Sequence, residues 1–436
     1  MKLSIRCIQP VSGILKPDVI LRAALHEAGL PATVLHPRAT ATKRLSNDEP
    51  FELRDGFESP QGANASARTL GAVVVRFGRL GDTVLLQPLL QRLHQRFGKP
   101  CTLLSRGGWP QPLYDGHTDV GRIIQLDAAH RPLLLSPQRW HAIRALRHLR
   151  NLPFYICDPE PRALAKIRRL LSWAGIAADH CVFLTDMPER TDEHWIDRLL
   201  RFSDHIPAAF DHTGYPLPPP AAIAAPRMHV SDADRSDCAA WLQKRGLARA
   251  PLILLQPANK RSMRWNGVRG PDDDKWWPSE HWAALACAIR LSLPAAQVLL
   301  CGAPDEASYL HDIRNATANV GVHVVAEELP LRRLMALLAI AHSMVSVDTG
   351  PAHLAAAMGC PLVTLFGRFP PEHWLQRSST GSEVIGLGGP ARGGRVDALS
   401  FDEVFAAWRG LTARVDATAV AAGVFPESIE HALCES

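Results

Sequence analysis

The chain has 436 residues, 47% hydrophobic and 21% charged, a balance that excludes a largely disordered protein and suggests two or three domains with sizeable cores. Its net charge of +5 is too weak to point to nucleic acid, and no run of 18 apolar residues is present to cross a bilayer as a helix. Nine scattered cysteines, an odd number with no CxxC, argue against a disulfide framework or a zinc ribbon and fit a reducing cytoplasm.

The first ten residues are broken by Arg6, Gln9 and Pro10 and do not read as a signal peptide. Residues 1–70 hold two short strand-like runs, a helical run over 18–28 and a polar Gly- and Pro-containing stretch from 39. They form a small N-terminal addition with no role assigned from sequence.

A regular alternation begins at Gly71. Residues 72–77 are a β-branched run of the kind buried on both faces of a parallel sheet. Residues 83–97 follow with Leu85, Leu86, Leu89, Leu90 and Leu93 on one broad helical face. Further strands are predicted at 101–104, 122–126, 154–157 and 181–184. The proline run ending at Pro226 marks a stiff linker over 215–226. Beyond it, strands are predicted at 252–256, 297–301, 323–325, 344–347 and 362–366, with helical patterns over 279–291, 306–317, 331–341 and 352–358. The expected architecture is α/β: two Rossmann-like parallel-sheet domains, 71–214 and 227–398, facing a cleft. Residues 399–436 are expected to form a C-terminal helix and tail that return to the first domain.

Ligands of open parallel sheets bind at the carboxyl ends of the strands, so the segments after strands carry the chemistry. The first is Arg76-Phe77-Gly78-Arg79-Leu80-Gly81-Asp82. Asp82 reads either as a helix N-cap or as a general base placed to take a proton from a substrate hydroxyl. The second is Ser346-Val347-Asp348-Thr349-Gly350-Pro351-Ala352-His353, a strand end that turns into a helix. Backbone N–H groups at such a helix start hold anions. Thr349 and Gly350 can approach a phosphate closely, Asp348 can accept from sugar hydroxyls, and His353 points to the same region. The third surrounds Lys275, whose ammonium can reach a diphosphate from the loop before Trp276-Trp277-Pro278. The preceding stretch 260–270, rich in Arg and Gly, reads as a lid or a plain insertion. The fourth is basic: Arg144 and Arg147 lie on one side of a helix over 139–150, opposite Trp140, Ile143, Leu146 and Leu149. Arg162, Lys166 and Arg169 line a second helix. These are either solvated faces or a surface for an anionic acceptor.

Taken together, these segments resemble the bacterial ADP-heptose:lipopolysaccharide heptosyltransferases of glycosyltransferase family 9. The resemblance rests on Gly81-Asp82 before a Leu-rich helix and on Lys275-Trp276-Trp277-Pro278 followed by Trp282. Val347-Asp348-Thr349-Gly350 with His353-Leu354 and Ala357, then Phe366-Gly367, complete it. It covers about residues 71–410. It implies a GT-B fold and inversion at the anomeric carbon in a single displacement. Asp82 is then the general base. Lys275, Thr349 and Gly350 hold the donor diphosphate, Asp348 and His353 line the sugar and phosphate pocket, and Glu306 binds the ribose. Arg144, Arg147, Arg162 and Lys166 face the acceptor. No Asp-x-Asp metal motif stands at a suitable strand end, so no obligatory metal or cofactor is expected beyond ADP-heptose as donor substrate. The chain departs from the family where Gly78 and Arg79 replace the usual serine turn, and where Arg368-Phe369-Pro370-Pro371 follows Phe366-Gly367.

The expected partners are a nucleotide-sugar donor and an anionic glycolipid acceptor, the lipopolysaccharide inner core, met by a cytoplasmic enzyme at the surface of the inner membrane. A protein or small-molecule acceptor, another nucleotide sugar, and a non-catalytic sugar-nucleotide binder are the alternatives.

Overall fold

The computed structural model describes residues 70–126, 137–220, 224–259, 273–317 and 321–412. The expectations for 1–69, for the stretch 260–270 and for the tail from 413 lie outside them. The described residues fall into two compact units that meet in sequence between His229 and Val230.

The first unit is built on a five-stranded parallel sheet: β1 (Val73–Arg76), β2 (Cys101–Arg106), β3 (Val120–Leu126), β4 (Phe154–Ile156) and β5 (Cys181–Phe183), in the order β3-β2-β1-β4-β5. Helices must cover both faces of such a sheet, so its central strand can be apolar on both sides. Val73, Val74 and Val75 are accordingly fully buried. The helical run over 83–97 is divided, into Leu80–Val84 and Gln87–Phe97. Pro88 explains the break, because it has no N–H to give to Val84 and its ring would collide with that carbonyl in a continuous helix. The leucines still reach the core, with Leu89, Leu90 and Leu93 buried. The proline-rich stretch is laid on this unit. Arg96 Nε donates to the Tyr215 carbonyl at 3.2 Å, and the Tyr215 ring lies 4.9 Å from that of Phe97.

The second unit carries a six-stranded parallel sheet: β6 (Leu252–Gln256), β7 (Gln297–Leu300), β8 (Val322–Val324), β9 (Ser343–Val347), β10 (Leu362–Phe366) and β11 (Val384–Gly388), in the order β11-β10-β9-β6-β7-β8. Strand β11 adds an edge that sequence reading passed over, its residues all half-buried. The helix Phe401–Gly410, expected to return to the first domain, packs instead in the second unit. Phe401, Val404 and Trp408 join the core around Trp277 and Trp282, and Trp408 Nε1 donates to Ser343 Oγ at 3.0 Å. Its apolar face is buried against the helix Ser279–Ser292 and β10.

Both sheets reverse direction of strand addition once. In the first unit the chain moves outward from β1 to β2 and β3, then crosses to β4 on the other side. In the second it moves from β6 to β7 and β8, then crosses to β9. The carboxyl ends of β1 and β4, and of β6 and β9, are therefore the crevices where parallel sheets accept ligands.

Candidate active site

The crevice of the first sheet is occupied by charge. Arg76, the last residue of β1, is 6% exposed. Its Nη2 donates to Asp82 Oδ1 at 2.6 Å, and its Nη1 donates to the Cys157 carbonyl at 3.1 Å and lies 3.8 Å from Asp158 Oδ1. Trp195 lies under the guanidinium at 5.4 Å. Asp158, just past β4, accepts from the Phe77 N–H at 2.9 Å and so ties the two strand ends together. The second Asp82 oxygen accepts from the Arg79 N–H at 2.8 Å, closing the helix start. Asp82 is thus not the N-cap itself: Arg79 holds that position, and Asp82, third residue of the helix Leu80–Val84, closes the helix start from within while its side chain keeps 25% of its surface accessible. Gly78 permits this turn: a Cβ there would stand 2.4 Å from the Asp82 Cβ and 2.9 Å from Arg76 Nε. Sequence reasoning missed Arg76 and Asp158. The signal available was polarity at the ends of two apolar strands.

The crevice of the second sheet brings together Lys275, Asp348, Thr349, Gly350 and His353. Asn259 Nδ2 donates to Asp273 Oδ2 at 2.7 Å, and the indole of the fully buried Trp277 donates to the Leu399 carbonyl, so the loop carrying Lys275 is pinned on both sides. Lys275 Nζ then reaches Asp348, at 2.6 Å from Oδ2 and 2.5 Å from the backbone carbonyl. Its charge also lies 5.5 Å from the centre of the Phe369 ring. His353 Nε2 stands 3.8 Å from Asp348 Oδ1. Thr349 is the N-cap of the helix Gly350–Ala357 but makes no side-chain cap, its hydroxyl pairing with Ser346 Oγ at 3.2 Å. The Thr349 side chain therefore does not satisfy the N–H groups of the first turn. Pro351 takes the second helical position.

Glu306 lies past β7, 5% exposed, with Oε2 accepting from the Ala303 N–H at 2.8 Å. Burial raises its carboxyl above the ordinary value. Gly302 makes room for it, since a Cβ there would come within 2.8 Å of that oxygen.

Arg144, Arg147, Arg162 and Lys166 are all exposed, on the helices Pro137–Arg147 and Pro161–Ala174 of the first unit. Trp140 does not pack inward with Ile143 and Leu146. It is 45% exposed and stacks on Trp173, ring centres 6.1 Å apart. Between 137 and 175 there are eight Arg and Lys against two acids. Asp158 is buried beside Arg76, and Glu160 caps the second of these helices, so neither acid opposes the basic face. Among the described residues no cluster of His, Cys, Asp and Glu is arranged to hold a metal, and no helix is long and apolar enough to cross a membrane.

Residues 187–386 match glycosyltransferase family 9 (heptosyltransferase). Over that stretch the chain is similar to the family's domain. The match spans Lys275, Glu306 and the Asp348–His353 turn, whereas Asp82 precedes it. Among curated proteins, the chain is similar to lipopolysaccharide heptosyltransferase 2 of Escherichia coli K12, 26% identical over 305 residues that cover 67% of this chain and 81% of that protein. Among solved structures, a glycosyl transferase family 9 protein from Veillonella parvula superposes with a TM-score of 0.61 at 15% identity, over 80% of this chain and 98% of that one. The E. coli ADP-heptose lipopolysaccharide heptosyltransferase II gives 0.56 at 20% identity, over 78% and 97%. The chain therefore shares the fold of these GT-B structures, two parallel-sheet α/β domains.

Proposed function

We propose that the chain is an inverting heptosyltransferase that moves heptose from ADP-heptose to an acceptor hydroxyl, most plainly one of the lipopolysaccharide inner core. The observation that carries this reading is Lys275 held at the uncapped start of the helix Gly350–Ala357, at the crevice of the second sheet. A lysine and a helix start together suit a diphosphate, and the two E. coli proteins named above are described as lipopolysaccharide heptosyltransferases, one of them with ADP-heptose.

In the proposed reaction the Asp82 carboxylate accepts the proton of the acceptor hydroxyl as its oxygen bonds to the anomeric carbon. The bond from that carbon to the diphosphate oxygen breaks with its electron pair. The charge gathering on departing ADP is met by Lys275 and by the N–H groups beyond Thr349. Arg76 cannot lose its own proton, and when Asp82 becomes neutral it keeps its bond to the Cys157 carbonyl and its neighbour Asp158. Asp348 and His353 line the sugar and phosphate pocket. Glu306 offers its remaining oxygen to the ribose. Arg144, Arg147, Arg162 and Lys166 attract the anionic acceptor, and the same basic face suits the inner-membrane surface. No metal has a part in the scheme.

A different donor sugar is the second reading, favoured by one feature. Phe369, in the segment that departs from the family pattern, lies against Lys275 and under Arg368. The deciding experiment is transfer and binding measured with a panel of ADP-, UDP-, GDP- and dTDP-sugars. Selective use of ADP-heptose supports the main reading, preference for another nucleotide sugar supports the second, and binding without transfer to any acceptor makes the chain a sugar-nucleotide binder.

A further inference from the structure

Gln376 belongs to no motif and is 2% exposed, yet its amide bridges a strand to the charged centre of the second crevice. Thr364 Oγ1, on β10 and fully buried, donates to Gln376 Oε1 at 2.8 Å. Gln376 Nε2 donates to Asp348 Oδ1 at 3.4 Å, and Asp348 Oδ2 accepts from Lys275 Nζ at 2.6 Å. The register of the sheet sets this up: Thr364 pairs with Ser346, two residues before Asp348. The orientation of the amide follows from its neighbours. Turned over, it would set an acceptor oxygen against a carboxylate oxygen, and only Nε2 facing Asp348 satisfies both ends.

We propose that Gln376, anchored by Thr364, is a positioning residue that acts through Asp348 to hold the Lys275 ammonium at the start of the helix Gly350–Ala357. A carboxylate is free to rotate about its last bond. The Gln376 amide claims Oδ1 and leaves Oδ2 turned to the lysine, and without it His353, 3.8 Å from Oδ1, becomes the competing partner. The functional weight of this arrangement rests on the reading of Lys275 as the diphosphate ligand. The arrangement itself does not.

The test uses the full chain without ligand. The sequence has eight lysines, so ¹⁵N-lysine labelling gives a small set of ammonium signals, with Lys275 assigned by its loss in K275R. In Q376M, similar in length but without the amide, the Lys275 signal is expected to shift or broaden while the remaining lysine signals stay in place. T364V keeps the amide but removes its anchor, and should move the same signal less. A Lys275 signal unchanged in Q376M overturns the proposal. Should Q376M fail to fold, an unchanged signal in T364V does so. ADP added to the wild type is a separate arm: a Lys275 signal indifferent to ADP sinks the diphosphate reading, while the comparison of ligand-free proteins still decides the role of Gln376.

Discussion

Arg76 and Asp82 form a 2.6 Å ion pair across the turn that follows β1, with Arg76 itself braced on the end of β4 through the Cys157 carbonyl. The carboxylate proposed for proton transfer is thus held between the sheet, through Arg76, and its own helix start, through the Arg79 N–H. Asp82→Asn keeps the shape and an oxygen for the Arg79 N–H but cannot take a proton. Transfer should fall by about 10²–10⁴-fold, the usual worth of a general base, with donor binding retained. Turnover alongside ADP titration checks this, and unchanged turnover removes Asp82 from the mechanism.

Removing the partner has a different signature. Arg76→Met leaves Asp82 and the buried Asp158 without their shared cation. Breaking one side of a buried pair costs about 3–5 kcal/mol, so the expected result is a lower urea midpoint for the first unit as well as lost activity. A stable Arg76→Met protein would show that the pair contributes little to the fold.

Lys275→Met should weaken ADP binding by about 10–100-fold, the equivalent of one or two hydrogen bonds to a charged group. Calorimetric titration reads it directly. Equal affinity in the variant would place the diphosphate elsewhere.

Asp234 provides a pH dependence away from the site. Burial alone would push its carboxyl up, but Arg332 and the Ser231 N–H and hydroxyl outweigh that and hold it at about 2, below its ordinary 3.8. A depressed acid stabilises the fold above the ordinary value, and that contribution is lost as pH falls through about 2. Thermal melts of wild type and Asp234→Asn should therefore differ at neutral pH, by about 1–2 kcal/mol after allowance for partial solvent screening, and converge as the pH drops towards 2. A gap that stays constant with pH would mean that the carboxyl is not the source.

The basic face should reveal itself through salt. Reversing Arg162 and Lys166 to glutamate, both exposed and outside the core, should raise the KM for an anionic acceptor several-fold while leaving donor KM unchanged. The effect should shrink at high ionic strength. An acceptor KM that ignores both charge reversal and salt would remove this face from recognition.

Much of the architecture was legible in the sequence because a buried parallel strand and an amphipathic helix write periodic patterns: the run Val73–Arg76 and the leucines of Gln87–Phe97 declare themselves locally. So did the site segments after strands, and with them Asp82, Lys275 and the Asp348–His353 turn. What the sequence could not decide is which strands end side by side. Arg76 and Asp158 are 82 positions apart, and only the crossing from β3 to β4 beside β1 brings them to one crevice. Gln376 reaches Asp348 because β9 and β10 pair in one register, a long-range choice that no local pattern encodes. The same holds for the helix Phe401–Gly410: its sequence determined that it had an apolar face to bury, and tertiary packing alone decided that the face would join the core of the second unit, because apolar burial is non-directional and names no partner locally.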